Sequence, residues 1–415
     1  MKTAIQILTA VSLSFSALAA EPGDKPRRGP RKEGAQKYTI EQAVSDRAQL
    51  STVAFSGLAF ITGDFGASTF IPPGKVCDFF GFQYMRDIDA AQKGHNPMFL
   101  NRVAGNVLHV LNDDQKKLFS DLAAEQAPQL EALAKMRLPM IKAFCQHLGG
   151  QPGLSKEATV QYTAKIFEKD MELSLRRAEV MAQVYNSLDA DQKAYFAKMK
   201  FGDFNTWPEM DERDKLKRGG KGQSKLFNVA YMTYASEFFS WTAGSVEADT
   251  YFCPERHGTY FGGFYMKDMP AMGKRDFDIS TSVTGDSGQA FIDQVLTADQ
   301  RKHILAIAGL QRPALTETIK VRREISTELR KLLTGGTPDQ AKLMALGRRY
   351  GELDGEMSWY YATAFAAVNQ TLTTDQRAEL MKLRNLDGYI SAPYYIYSQA
   401  MKEEPVLSGV EAFFK

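Results

Sequence analysis

Cysteine and histidine are scarce in this chain: three and five in 415 residues. Cys77, Cys145 and Cys253 fall into no C-x-x-C or C-x-x-C-H spacing, which disfavours a thioredoxin-like redox site and a covalently attached haem. None of His95, His109, His147, His257 and His303 forms an H-x-x-x-H or H-E-x-x-H pair, so no helix-borne metal site is written in the pattern. A chain of this length does not depend on disulfides to hold its core. An excess of one charge is missing as well. With 51 basic and 49 acidic residues and a formal net charge of +2, a broadly basic nucleic-acid binder is excluded on global charge. After the N-terminal segment no run approaches the ~20 apolar residues that a transmembrane helix needs. A nucleophile elbow, a Walker loop and a dinucleotide fingerprint are all absent, and nothing pairs two carboxylates across a pocket. The chain reads as a non-enzyme.

What remains is enough to build a core: 44% of residues are hydrophobic and 11% aromatic. Residues 1–20 combine a positive start at Lys2, an apolar stretch from Ile5 to Leu18 and a small-residue end at Ala17-Leu18-Ala19-Ala20. That is the pattern of a secretory signal peptide, which implies a periplasmic or otherwise exported protein, soluble once the peptide is removed. Residues 21–37 form a Pro/Gly/basic leader expected to be disordered.

A duplication organises the rest. Residues 63–87 and 244–268 align without a gap at an offset of 181, with nine of 25 positions identical. Among the identities are Phe80/Phe261, Gly81/Gly262, Tyr84/Tyr265, Met85/Met266 and Asp87/Asp268. Downstream the offset becomes 185, where Gln126 and Pro128 meet Gln311 and Pro313, and Lys135 and Arg137 meet Lys320 and Arg322. The repeats cover 38–200 and 224–390, separated by a charged, glycine-rich linker at 201–223 and followed by a C-terminal tail at 391–415.

Each repeat carries one short motif twice. The four copies start at Leu111, Leu188, Leu296 and Leu372 and end at Gln115, Gln192, Gln300 and Gln376. Asn112, Asp189, Thr297 and Thr373 offer a side-chain oxygen as helix N-cap, and the Gln three residues on can reach back to close a capping box. Each leucine is expected to pack on a neighbouring helix. Helical periodicity follows these starts, predicting helices at about 115–147 and 156–187, and at about 300–333 and 338–371, with further helices near 39–60 and 224–243. A Gly-Gly turn closes the first long helix of each copy. Thr337-Pro338-Asp339-Gln340 reads as one more capping box, with proline at the first helical position. Strand alternation is hardly visible, so the fold class is all-α.

Four Leu-cap-x-Asp-Gln boxes in an exported helical chain resemble the LTxxQ-motif family, the Spy/CpxP-like periplasmic proteins. The resemblance covers roughly 105–200 and 290–388, with Asn112 and Asp189 standing where the consensus has Thr. It implies two tandem Spy-like helical-bundle repeats related by an internal pseudo-twofold axis, an intrachain pseudo-dimer. It further implies ATP-independent chaperoning of unfolded or partly folded envelope proteins, or, as some relatives do, metal binding and envelope-stress sensing.

Several residues are candidates for that work. Lys135, Arg137, Lys320 and Arg322 recur in both copies and offer a basic lining for clients, or else a solvated, salt-bridged helix face. Tyr84, Met85, Tyr265 and Met266 belong to aromatic loops that serve as client or partner docking pockets, or as packing corners. No cofactor is expected. As the alternative, Cys253, Glu255 and His257 alternate in a loop and form a conceivable clamp for Zn or Cu if that loop is extended. Cys77 and Cys253 lie in equivalent loops, where a disulfide could bridge the two copies.

Overall fold

Helix starts set the architecture. The computed structural model describes residues 37–38, 46–62, 98–199, 224–250, 277–278, 290–384, 395–396, 399–400 and 410–414. Eleven α-helices lie among them: α1 Asp46–Thr62, α2 Met98–Val110, α3 Asp113–Met136, α4 Leu138–Leu148, α5 Lys156–Asn186, α6 Ala190–Lys198, α7 Lys225–Thr242, α8 Val246–Thr250, α9 Ala298–Arg330, α10 Gln340–Asn369 and α11 Thr374–Arg384. A π-turn, Phe291–Val295, precedes α9, and a 3-10 turn, Lys331–Thr334, follows it. Extended structure among the described residues amounts to two antiparallel pairs of two residues each, β1 Lys37–Tyr38 with β2 Phe277–Asp278 and β3 Tyr395–Ile396 with β4 Gln399–Ala400. Apart from these two short bridges the described part is helical, as the periodicity predicts.

Two local expectations are corrected. The helix predicted over 115–147 is broken at Arg137, between α3 and α4. Pro139 explains the break: it has no N–H to donate, and its ring collides with the carbonyl one turn earlier. The second copy has no proline there, and α9 runs on unbroken. The box expected at Thr337 does not form either. Asp339 is the N-cap, its Oδ1 accepting the Lys342 N–H at 3.0 Å, so α10 begins two residues later than proline at the first turn would require. A carboxylate at the positive end of the helix outcompetes the threonine hydroxyl. The Gly-Gly turns are as expected, with Gly150 and Gly335 in the left-handed region at φ 91° and 79°.

The packing exchanges the leading helices. α1, the first helix of the first copy, lies against α9, α10 and α11 of the second, while α7, the first helix of the second copy, lies against α2 and α3 of the first. Polar contacts mark both ends of the exchange. Gln311 on α9 donates its Nε2 to Gln49 Oε1 on α1 at 2.9 Å, and the Tyr234 hydroxyl on α7 donates to Gln126 Oε1 on α3 at 2.6 Å. All four residues are fully or almost fully buried. Each copy's leading helix is thus seated on helices of the other copy, within the one compact unit Lys37–Lys415.

α5 and α10, the long helices of the two copies, make the largest contact among the described elements. α10 presents Gly347, Gly351 and Gly355 at four-residue spacing, and α5 fills the space with Met171, Phe167 and Thr163. A Cβ at Gly351 would lie 2.6 Å from the Thr163 carbonyl oxygen and 2.7 Å from the Ala164 Cα. Those are backbone atoms, which cannot turn aside. Phe167 meets Tyr350 edge-on at 5.1 Å and seals the crossing.

Gly351→Ala gains about 1 kcal/mol of helix propensity, against overpacking of typically 1–3 kcal/mol or more. With backbone on the far side the second effect wins. Urea unfolding is expected to show Gly351→Ala destabilised, whereas Gly309→Ala on exposed α9, which meets nothing within 4 Å, is neutral or stabilised. Equal behaviour of the two variants would refute the close crossing.

Candidate functional site

All four capping boxes close. Asn112 Oδ1 accepts the Gln115 N–H at 2.9 Å and Gln115 Oε1 accepts the Asn112 N–H at 3.0 Å. Asp189 with Gln192, Thr297 with Gln300 and Thr373 with Gln376 repeat this exchange. Leu111, Leu188, Leu296 and Leu372 are buried, as a packing role requires.

The glutamines do more than cap. Gln115 and Gln192 bond to one another, Gln115 Nε2 donating to Gln192 Oε1 at 3.1 Å and Gln192 Nε2 donating to Gln115 Oε1 at 2.7 Å. The remaining protons go to Ser187 Oγ at 3.0 Å and to the Val110 carbonyl at 3.0 Å. The second copy repeats the wiring: Gln300 and Gln376 exchange bonds of 3.2 and 2.8 Å, with Thr371 Oγ1 and the Val295 carbonyl as the outer acceptors. Each primary amide has two donors and two lone pairs, and every one is used. Only glutamine meets these demands. Glutamate has the right length but no proton to give, and alanine meets none of them.

A second set of buried polar side chains forms an ionic network. On α5, Asp170 accepts from Ser174 Oγ at 3.4 Å, and Arg177 donates its Nη2 to the same hydroxyl at 2.7 Å. Arg177 Nε lies 3.9 Å from Glu237 Oε2 on α7, and its guanidinium stands 5.5 Å from the Tyr234 ring. Arg137, in the break between α3 and α4, acts electrostatically on both Asp170 and Asp354 of α10. Arg322 on α9 donates to the Thr250 carbonyl at 3.2 Å, to the Tyr350 hydroxyl at 3.1 Å and to the Asp249 carbonyl. The Asp249 carboxylate in turn accepts from Ser326 at 2.7 Å and Arg330 at 2.6 Å. Burial pushes Asp170 up to about 7, against the pull of Arg177, Ser174 and Arg137. It holds Asp354 well above the ordinary carboxylate range, opposed by Arg137 and Ser358, and lifts the Tyr350 phenol to about 12.

Arg137 and Arg322 thus require a correction. Both are fully buried, so they line no basic surface for clients. Their recurrence marks interior ion partners instead. Lys135 and Lys320 do lie at the surface, each paired with an acid one turn away, Glu131 at 2.7 Å and Glu317 at 3.0 Å. Tyr84, Met85, Tyr265, Met266, Cys77, Cys253, Glu255 and His257 lie outside the described residues. Among the described residues no three His, Cys, Asp or Glu side chains are grouped to hold a metal, and no helix is long and apolar enough to cross a membrane. The acids of the network were missed from sequence. For Asp170 and Asp354 a signal was present: Asp170-x-Glu172-x-Ser174 recurs as Asp354-x-Glu356-x-Ser358, 184 residues on.

In comparisons with known proteins, no family model, no curated protein and no solved structure matches this chain.

Two outcomes follow from this geometry. Gln115→Glu is expected to lower stability by more than ~2 kcal/mol despite equal size, because it leaves buried acceptors without donors; a urea midpoint at the wild-type value would contradict the clasp. For Asp170 the folded interior favours the neutral acid, so between its ordinary value of 3.8 and about 7 the folded state holds a proton that the unfolded chain has released. That contribution to stability is complete below the ordinary value and is lost as pH rises through about 7. Comparing urea midpoints from pH 4 to 8, Asp170→Asn should lose much of this decline while the wild type retains it.

Proposed function

We propose that this chain is a covalently fused pair of LTxxQ-type helical units, related by an internal pseudo-twofold axis, that binds unfolded or partly folded exported proteins without ATP. The observation that carries the reading is the glutamine clasp, made with the same donors and acceptors in both copies. Reciprocal packing of α5 and α10 supports the axis. Thr163 meets Gly355 and Met171 meets Gly347, and a shift of 184 residues turns one pair into the other. Phe167 meets Gly351, its own equivalent.

Clients need an apolar surface that the fold itself does not use. Among the described residues the large exposed hydrophobics are Leu305, Leu310 and Met381. Leu305 and Leu310 stand on α9 beside exposed Ala306, Gly309 and Pro313. The equivalent stretch of α3 has Ser120, Asp121 and Glu125, with Asp121 and Glu125 in ion pairs to Lys117 and Arg176. Packing does not demand the apolar version, because the other copy manages without it. We assign this strip of α9 to client contact, through weak interactions of ordinary hydrophobic type.

The test is aggregation of a chemically denatured substrate, followed by light scattering with the mature chain at stoichiometric ratio and no nucleotide. Wild type is expected to slow aggregation, and Leu305→Asp/Leu310→Asp, both changes at exposed positions, to lose most of the effect with unchanged circular dichroism. No slowing by the wild type defeats the reading, and an unimpaired double variant defeats the assignment of the strip.

A further inference from the structure

The contacts between the copies contain a recognition code that neither copy satisfies with itself. Three kinds of contact cross from one copy to the other. The first is shape: α5 offers Thr163, Phe167 and Met171 where α10 offers three glycines. Because Phe167 and Gly351 are equivalent positions facing each other, pairing two first halves would set Phe167 against Phe167. Pairing two second halves would set Gly351 against Gly351 and leave the space unfilled.

The second is charge. Arg177 of the first copy is fully buried against Glu237 of the second, and Arg137 of the first acts on Asp354 of the second. At the offset of 181 the first copy has Ser56 where the second has Glu237, and at 184 the second has Tyr361 where the first has Arg177. Two first halves would bury the arginine with no acid from the partner's leading helix, a state that costs far more than the pair contributes. The third is hydrogen bonding. Tyr234 serves Gln126 and Gln49 serves Gln311, so the two leading helices use different side chains for equivalent tasks. Helix ends are shared too: Asn369 Nδ2 donates to the Leu148 carbonyl at 2.9 Å, and Asn186 Nδ2 to the Leu332 carbonyl at 3.4 Å.

From these we infer that the two halves form a self-sufficient heterotypic complex: the first half's partner is the second half, and the connector between them is dispensable once the chain has folded. The surface fits a partner with glycines at four-residue spacing on one helix and a buried acid on an exchanged leading helix. Homotypic pairing is opposed at the same positions, so neither two first halves nor two second halves pair through this face.

The experiment starts from the full chain carrying a specific protease site within Gly219-Gly220. After cleavage in native buffer the two fragments are expected to co-elute at the mass of the uncut chain. Denaturing and refolding cleaved material in which first halves bear two different tags should return first–second pairs and no first–first pairs. Separation of the fragments in native buffer, or capture of one tag by the other, overturns the inference. A second measurement reads the shape code within the intact chain. Met171→Gly and Gly347→Ala should each lower the urea midpoint, the second because its Cβ would meet the Met171 Cβ at 2.6 Å. Met171→Gly/Gly347→Ala should lose less than the sum of the two single changes. Additive losses in the double variant overturn the complementarity.

Discussion

Everything in this molecule depends on how closely α5 and α10 approach. Three glycines on one helix remove the side chains that would hold the two backbones apart, and the facing helix supplies bulk only where bulk is missing. Helices that pack this closely bring α3, α7 and α9 within reach of a common interior, and among its apolar side chains that interior holds charged ones. Asp170, Arg177 and Asp354 project from the two long helices into the same region and find Arg137, Glu237 and Tyr350 there. A wider crossing would admit water and dissolve the network; a bulkier one would push the ion partners apart.

A buried ionic interior is a costly choice. Replacing such groups with apolar residues of similar volume is often neutral or favourable, so the network is weak evidence for stability. What it provides is discrimination, since its charged groups meet across helices of both copies. The glutamine clasps act similarly at the helix starts. An amide that must place two protons and fill two lone pairs tolerates very few geometries, and two such amides facing each other tie a pair of helix N-termini in fixed register.

Features whose physics is local were legible in the sequence. The N-caps Asn112, Asp189, Thr297 and Thr373 act within one helical turn, and all four boxes form as expected. Long helices were legible from periodicity to within a few residues. The break at Arg137 turns on one proline that periodicity passes over. Long-range features were not legible. Gln115 and Gln192 are 77 residues apart, and a capping box explains each glutamine completely without the other. Arg137 and Arg322 stood out by recurrence, but recurrence is silent about depth, and a charged side chain carries a strong prior for the surface. The exchange of α1 and α7 left no local trace, because an amphipathic helix looks the same whichever body receives its apolar side.

That exchange bears on how the chain acquires its structure. α1 precedes in sequence nearly everything described, yet its seat is built from α9, α10 and α11, near the far end of the chain. α7 closes the first bundle only after half the polypeptide has been made. Neither bundle is finished by the residues that begin it, so N-terminal-first maturation during synthesis, the usual course for multidomain chains, is denied to this one. Loop closures of such span make for slow folding. The polypeptide must therefore pass through a long interval with Phe60, Phe119 and their neighbours still unsheltered, in need of the same protection from aggregation that it is proposed to extend to others.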